Sequence, residues 1–195
     1  VAGLAGGSTD AAAVINGINK LYELKQDLPV LLELGARIGS DVPFCLMGGT
    51  ALARGRGEIL SQLPAGPLLH MVLVKPDFQI STRAVYQAFR LDKVRKSPDT
   101  TAFLAAWHNY DMINIAREMS NVLETVSLEE NPEIAAIKKQ LMAGGAFNSL
   151  MSGSGPSVFG LFASQKTAEE AFIKMQSQYK ESFLVSSYRK GEKNG

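Results

Sequence analysis

The sequence predicts an α+β fold divided between two domains, and three features predict it. Apolar residues recur at helical spacing over residues 10–24, directly after a glycine-rich loop. A stretch rich in proline and glycine, LPAGPL at residues 63–68, separates this half from the rest of the chain. Beyond it, strand-like runs alternate with helical patterns. We therefore expect one domain in residues 1–66 and a second, of strands and helices, in residues 67–195.

The first element is a helix with one buried face. Residues spaced at i, i+3, i+4 and i+7 predict that face, and Ser8, Thr9 or Asp10 is expected to cap the helix. The residues expected to be buried are Ala11, Val14, Ile15, Ile18, Leu21 and Tyr22.

Two shorter helices are predicted next. One covers residues 29–38, and Gly39 is expected to end it. The other is short, with Asp41 as its N-cap and Pro43 in its first turn. A pair of glycines then turns the chain into the strand TALAR. The residues expected to be buried on the helix over 29–38 are Val30, Leu31, Leu34 and Ile38.

The second domain is predicted to alternate strands and helices. Its last helix starts at Thr167, where Glu170 is expected to complete a capping box, and the tail at residues 190–195 is expected to be frayed. The expected elements are a strand at 70–76, a helix at 82–89, helices across 101–126 and 132–143, a loop at 149–157, a strand at 158–162, the last helix and a strand at 183–189.

Composition and charge indicate which kind of partner this protein binds. Twenty basic residues stand against nineteen acidic ones, without a dense lysine and arginine cluster. Nucleic-acid and membrane binding are therefore not expected, and a small-molecule partner is. The lone cysteine, Cys45, and two separated histidines, His70 and His108, argue against a disulfide framework and a zinc site. With no bilayer-length apolar run or signal sequence seen, we expect a cytoplasmic location.

The glycine-rich loop GLAGGSTDAA has the composition of a phosphate cradle. Gly3, Gly6 and Gly7 free the backbone, and the N–H groups at a helix N-terminus favour an anion. Ser8 and Thr9 add hydroxyls for a phosphate oxygen or a magnesium ion. The string matches neither the P-loop nor the GxGxxG pattern, so a capped helix after a flexible turn explains it as well.

Two further segments carry candidate chemistry. In IGSDVPFCLMGG, Asp41 could accept a proton from a hydroxyl, although spacing alone favours an N-cap. In MSGSGPSVFGLF, Gly153 and Gly155 permit close approach to a backbone or a ligand, and the alternative is a plain turn into an edge strand. Ser152 and Ser154 in the same loop can donate hydrogen bonds.

Taken together, GLAGGSTDAA, IGSDVPFCLMGGTALARGRGE and LMSGSGPSVFGLF resemble the GHMP kinase superfamily over nearly the whole chain. They are similar above all to the branch that acts on diphosphocytidyl methylerythritol in the non-mevalonate isoprenoid pathway, because the DVPFxLxGGTALxxGRGE signature is specific to that branch. The resemblance implies two domains, a ribosomal-S5-like N-terminal one, here partial, and a ferredoxin-like C-terminal one.

The resemblance also implies phosphorylation of the 2-hydroxyl of that substrate by ATP with Mg²⁺, whose ligands stay unassigned. Asp41 is implied as the catalytic residue that accepts or orients the proton of the hydroxyl. Thr82 and Tyr86 fall where the family lines its cytidine pocket, although aromatic residues at helical spacing are usually core. The implied ATP-binding residues are Gly3, Leu4, Ala5, Gly6, Gly7, Ser8, Thr9, Gly153, Ser154 and Gly155.

Two departures from the family pattern bear on this expectation. The family pairs its aspartate with a lysine near the N-terminus, whereas this chain starts at Val1 within the glycine loop. We therefore expect an N-terminally truncated piece, inactive alone, whose first helices leave apolar faces uncovered. The family commonly has NDLE where residues 121–124 read NVLE, so a polar role of that aspartate is lost at Val122.

Two alternatives stay open at this point. Another GHMP kinase, for mevalonate, homoserine or galactose, would share both glycine loops and differ on the cytidine side. A non-catalytic nucleotide-binding fragment is the interpretation outside enzymes. For assembly, a monomer or a weak homodimer is expected.

Overall fold

The structure, a computed structural model, describes residues 3–94 and 97–187. Two compact units make up this part of the chain. One contains Ala5–Ala65, and the other contains residues 3–4 together with Gly66–Ser187.

The unit Ala5–Ala65 is built from three helices and a hairpin. Helices α1 (Gly6–Leu21), α2 (Leu28–Ile38) and α3 (Val42–Met47) pack together. Strands β1 (Thr50–Arg54) and β2 (Ile59–Leu63) pair antiparallel. Of these elements the sequence predicts all but β2. The residues buried between the helices are Ala12, Ile15, Leu31, Val42 and Leu46.

The helices of this unit bury only part of the predicted faces. Ile15 and Leu31 are buried as expected. Most of the other apolar positions are exposed, so the prediction of a fully buried stripe is wrong, while the expectation of uncovered apolar helix faces is confirmed. Three helices and a two-stranded hairpin offer too little apolar surface to cover each other on all sides. The exposed positions are Val14, Ile18, Leu21 and Tyr22 on α1 and Val30, Leu34 and Ile38 on α2.

The other unit is organised around a four-stranded antiparallel sheet in the order β4–β5–β3–β6. Its strands are β3 (His70–Lys75), β4 (Asn148–Met151), β5 (Val158–Phe162) and β6 (Glu181–Ser186). Helices connect β3 to β4 and β5 to β6, while β4 runs into β5 through a loop, which is the ferredoxin-like pattern. The predicted ferredoxin-like domain is confirmed.

Helices cover both faces of this sheet. Val72 and Phe162 lie in the larger core, which α8 and α9 help to form, and Leu161 faces a smaller cluster with α5 and α6. One face of the sheet is therefore buried, while the other is covered only in part, since Phe183 on β6 is 47% exposed. The helices of this unit are α4 (Thr82–Ala88), α5 (Thr100–His108), α6 (Met112–Glu118), α7 (Glu124–Glu130), α8 (Pro132–Ala143) and α9 (Gln165–Gln176), with a 3-10 turn at Leu91–Lys93.

Several predicted boundaries change. The capping box of α9 joins Ser164 and Thr167, so the prediction that Glu170 completes it is wrong, because the helix starts two residues before Thr167. The first residues of the predicted loop 149–157 belong to β4, whose pairing with β5 no local pattern reveals. The last two residues of the predicted strand 183–189, and the tail at 190–195, lie outside the described residues. In residues 3–94 and 97–187 no helix has the length and apolarity of a membrane span.

The start of α6 gives a prediction about pH. The Asp111 carboxylate accepts hydrogen bonds from the backbone N–H of Asn114 at 3.1 Å and from its side-chain Nδ2 at 2.5 Å. The backbone bond, and then the side-chain bond, lower the pKa of Asp111 below its usual range. The charged carboxylate therefore adds stability above the unfolded pKa of about 4, which is lost as the pH falls through the folded pKa.

Asp111→Asn keeps a capping side chain but removes this charge. We expect the unsubstituted protein to have the higher urea midpoint at about pH 7, and the difference to shrink by about pH 3. A difference that stays constant over that range would contradict the assignment.

Candidate functional site

The N-terminus of α1 is open. Its N-cap is Ala5, in the left-handed conformation with φ 49°, and no side chain caps the helix. The prediction that Ser8, Thr9 or Asp10 caps it is wrong, because the helix starts at Gly6 and these residues lie inside it. The first turn also contains no acidic residue. Uncapped N–H groups at the positive end of a 16-residue helix make a place for an anion.

There is free space beside this helix end. Gly6 and Gly7 are exposed, and a Cβ at either would meet no described atom within 4 Å. Packing within the described residues therefore does not explain why these two positions are glycine. A ligand has room to approach the backbone here. The Thr9 hydroxyl is already engaged, since it donates to the Ala5 carbonyl at 3.1 Å and lies 3.7 Å from the Cys45 Sγ.

Asp41 stands at the N-cap of α3, as predicted, but its carboxylate does not cap the helix. The side chain is exposed, so it is free to act on another group. The turn between β1 and β2 passes beside it: a Cβ on Gly57, whose φ is +114°, would lie 3.7 Å from Asp41 Oδ1. Helix capping is the simpler interpretation of this aspartate, and it agrees with the position of Asp41 at the start of α3. It does not explain the carboxylate, because the carboxylate makes no capping hydrogen bond.

In the unit with the sheet, Gly3 lies against the loop that follows β4. Ser152 Oγ donates to the Gly3 carbonyl at 2.8 Å. Gly3 has φ +69°, and a Cβ there would lie 2.2 Å from the Ser152 carbonyl oxygen. Only glycine fits this contact. A Cβ on Gly153 would in turn lie 3.5 Å from the Gly3 carbonyl oxygen, so the predicted approach of this loop to another backbone is confirmed at Gly153, as is the predicted hydrogen bond from Ser152.

Thr82 and Tyr86 both lie near this loop. The Thr82 hydroxyl is 2.8 Å from the Ser154 hydroxyl, at the start of α4. One turn later, Tyr86 is 63% exposed, so it is not the core residue that its spacing also allowed. It lines an open groove of about 520 Å³ together with Phe89 and Gly153. The structure therefore brings the two predicted substrate-side residues to the third motif.

Comparison with known proteins agrees with these motifs. The sequence profile of the GHMP kinases N-terminal domain matches residues 1–49, and that of the GHMP kinases C-terminal domain matches residues 103–181. The 4-diphosphocytidyl-2-C-methyl-D-erythritol kinase of Alkaliphilus oremlandii is 44% identical over 195 residues, which is 100% of this chain and 67% of that protein. The chain belongs to the GHMP kinase family.

Within the GHMP kinases the chain groups with the proteins of that name. The 4-diphosphocytidyl-2-C-methyl-D-erythritol kinase of Syntrophomonas wolfei subsp. wolfei is 62% identical over 187 residues, 96% of this chain and 66% of that protein. A crystal structure of 4-(cytidine 5'-diphospho)-2C-methyl-D-erythritol kinase matches with a TM-score of 0.80 and 32% identity, covering 95% of this chain and 66% of that one. This GHMP kinase chain thus spans slightly less than two thirds of both proteins, and the predicted resemblance is confirmed.

The candidate residues of this GHMP kinase fall in both units. The unit Ala5–Ala65 holds the open end of α1 and Asp41, while the other unit holds Gly3, Leu4, the loop at 153–155, Thr82 and Tyr86. In the described residues no three His, Cys, Asp or Glu side chains gather as a metal site.

Sequence reasoning missed two residues that bind the third motif. Asn121 Nδ2 donates to the carbonyls of Met151 and Gly153, and Glu124 Oε1 accepts from the Met151 N–H. The signal that could have found them is the NVLE segment itself, in which Asn121 and Glu124 are three positions apart.

Proposed function

We propose that the intact protein that carries this chain transfers the γ-phosphoryl group of ATP to the 2-hydroxyl of 4-diphosphocytidyl-2-C-methyl-D-erythritol, giving the 2-phosphate and ADP. The observation that carries the proposal is the 62% identity to the kinase of that name from Syntrophomonas wolfei over 96% of this chain. The open end of α1 and the uncommitted Asp41 carboxylate supply the chemistry that such a reaction needs.

The nucleotide phosphates are assigned to the two glycine-rich loops. Phosphoryl transfer depends mainly on positioning and on stabilising charge, which preorganised backbone N–H groups supply. The uncapped first turn of α1 and the space beside Gly6 and Gly7 support this assignment. The proposed ATP-binding residues are Gly3, Leu4, Ala5, Gly6, Gly7, Ser8, Thr9, Gly153, Ser154 and Gly155.

The acceptor hydroxyl is assigned to Asp41. Its carboxylate orients the hydroxyl and takes the proton as the oxygen bonds to the γ-phosphorus, while the bond from that phosphorus to the β–γ bridging oxygen breaks and ADP leaves. The exposure of this side chain and its lack of a capping bond support the role.

The cytidine end of the substrate is assigned to Thr82 and Tyr86. An exposed tyrosine ring at the edge of an apolar groove offers a face on which a pyrimidine can stack. The neighbouring Thr82 hydroxyl fixes the start of α4 against Ser154.

A magnesium ion is proposed to accompany ATP and to neutralise phosphate charge. The described residues form no three-ligand cluster, so the ion would take most of its ligands from phosphates and water, and we assign it no residue. The division into a GHMP N-terminal domain at 1–66 and a C-terminal domain at 67–195, a monomeric or weakly dimeric state and a cytoplasmic location stay predictions.

A panel of acceptor alcohols tests this function. The intact protein is supplied with ATP and Mg²⁺, and ADP release is followed with the diphosphocytidyl substrate, mevalonate, homoserine or galactose. We expect kcat/KM to be at least about a hundredfold higher for the diphosphocytidyl substrate, because its cytidine is bound by dedicated contacts. Preference for another alcohol would move the protein to a different GHMP substrate. ATP binding without turnover of any acceptor would favour a non-catalytic nucleotide-binding protein.

A further inference from the structure

The backbone N–H and the carbonyl of Met151, the last residue of β4, are both hydrogen-bonded to side chains. Among residues 3–94 and 97–187 this edge strand pairs with β5 alone, so the backbone groups on its outer side would otherwise be unpaired. Glu124 Oε1 accepts from the Met151 N–H at 2.7 Å, and Asn121 Nδ2 donates to the Met151 carbonyl at 2.9 Å. The edge strand is therefore held at the point where the third glycine-rich loop begins.

The hydrogen bonds of Asn121 continue into the loop itself. The same Asn121 Nδ2 donates to the Gly153 carbonyl at 2.7 Å, while its Oδ1 accepts from the Leu123 N–H at 3.0 Å. The amide nitrogen and the amide oxygen of Asn121 are thus both hydrogen-bonded, which fixes the orientation of the amide. Glu124 is fixed in turn by an ion pair with Lys138, and both side chains are mostly buried.

The hydrogen bonds to this loop from Asn121 and Ser127 engage its carbonyl groups. Besides the carbonyls of Met151 and Gly153, that of Ser154 accepts from Ser127 Oγ at 3.3 Å. Gly153 is exposed, and in the part of the chain that the structure describes its N–H has no acceptor. An exposed backbone N–H without an acceptor in the protein is available to an anion.

We infer that Asn121 and Glu124 are positioning residues that fix the loop at 153–155 for the nucleotide phosphates; the inference rests on the proposed function. The side chain of Val122, between them, takes no part in these hydrogen bonds, so they do not need the aspartate that the family commonly has at that position. Asn121 and Glu124 act through the loop's backbone rather than on the substrate.

Asn121→Leu tests this inference without adding a charge beside the phosphates. Leucine has the same branching at Cγ and the same number of side-chain heavy atoms, and it can make none of the three hydrogen bonds. Two lost bonds to the loop predict a rise of about tenfold in KM for ATP, with kcat and the KM for the acceptor within about threefold. A role in stability alone would leave both KM values unchanged. The matched control is Asn109→Leu, which removes an exposed bond to the Ala105 carbonyl at the end of α5 and is expected to leave KM for ATP unchanged.

Two additional measurements keep the test decisive. Hydrogen exchange of the peptide at 151–157 is expected to quicken in Asn121→Leu and not in Asn109→Leu, whether or not the acceptor is turned over. If Asn121→Leu does not fold, Asn121→Ser, which can reach one carbonyl at most, is expected to show the same direction of change. Unchanged exchange and unchanged ATP affinity would overturn the inference. Faster exchange and weaker ATP binding in a protein that turns over no acceptor would support the inference and overturn the proposed function.

Discussion

Asp41→Asn is expected to lower kcat of the intact protein about a thousandfold while the Kd for ATP stays within about twofold. Asparagine has the shape of aspartate but cannot take the proton of the acceptor hydroxyl at neutral pH. Because the Asp41 carboxylate makes no capping bond, the substitution removes no side-chain hydrogen bond from the start of α3. Single-turnover kinetics with saturating ATP, together with calorimetric titration of ATP, separates the two effects.

Asp27→Asn is the matched control for this prediction. Asp27 also stands at an N-cap before a first turn that contains proline, but its Oδ1 accepts from the Val30 N–H at 3.3 Å. Asparagine caps a helix about as well as aspartate, so both kcat and stability are expected to stay unchanged. Equal kcat values for Asp41→Asn and the unsubstituted protein would remove Asp41 from the proposed mechanism.

Gly3→Ala is expected to weaken ATP binding about thirtyfold or more. The new Cβ would lie 2.2 Å from the Ser152 carbonyl oxygen, and the backbone at φ +69° is strained for alanine. A non-glycine residue in such a conformation costs roughly 1–3 kcal/mol, and the loop after β4 must also move away and give up its hydrogen bond to Gly3. Calorimetric titration with ATP measures the effect, and circular dichroism checks that the fold is retained.

Gly17→Ala provides the contrast in the same N-terminal segment. Gly17 is an exposed residue inside α1, and apart from the helix's own backbone a Cβ there would meet no atom of the described residues within 4 Å. Alanine at an exposed helix position is expected to raise the free energy of unfolding by about 0.5–1 kcal/mol and to leave ATP affinity unchanged. If Gly3→Ala and Gly17→Ala bound ATP equally well, the contact between Gly3 and Ser152 would have no part in nucleotide binding.

Local sequence patterns were sufficient for the elements whose determinants are local. The apolar spacing of residues 29–38 predicts α2 to within one residue, since Asp27 caps one end and Gly39 the other. Strand β5 follows from the run VFGLF in the same way. The position of Asp41 at an N-cap likewise follows from the local sequence, because Pro43 stands in the first turn of α3.

The features that local sequence patterns did not predict depend mostly on contacts between distant parts of the chain. Strands β2 and β4 are recognised only by their partners β1 and β5, and neither has a clear pattern of its own. Asn121 bonds to a residue 30 positions further along the chain, so no window around it reveals the contact. The open end of α1 was missed for another reason: three residues able to cap a helix follow Gly7, and the helix begins before them.

Proton-coupled ³¹P NMR of the intact protein's reaction distinguishes the proposed transfer of phosphate to the 2-hydroxyl from transfer to another hydroxyl. The substrate is a 2-C-methyl tetritol, so the carbon that bears this hydroxyl carries a methyl group and no hydrogen. We expect the γ-phosphate signal of ATP to disappear as ADP forms and one new phosphomonoester signal to appear as an unsplit line. A new signal split by a neighbouring C–H proton would place the phosphate on another hydroxyl and contradict transfer to the 2-hydroxyl. A complete absence of ATP consumption would contradict the proposed kinase activity itself.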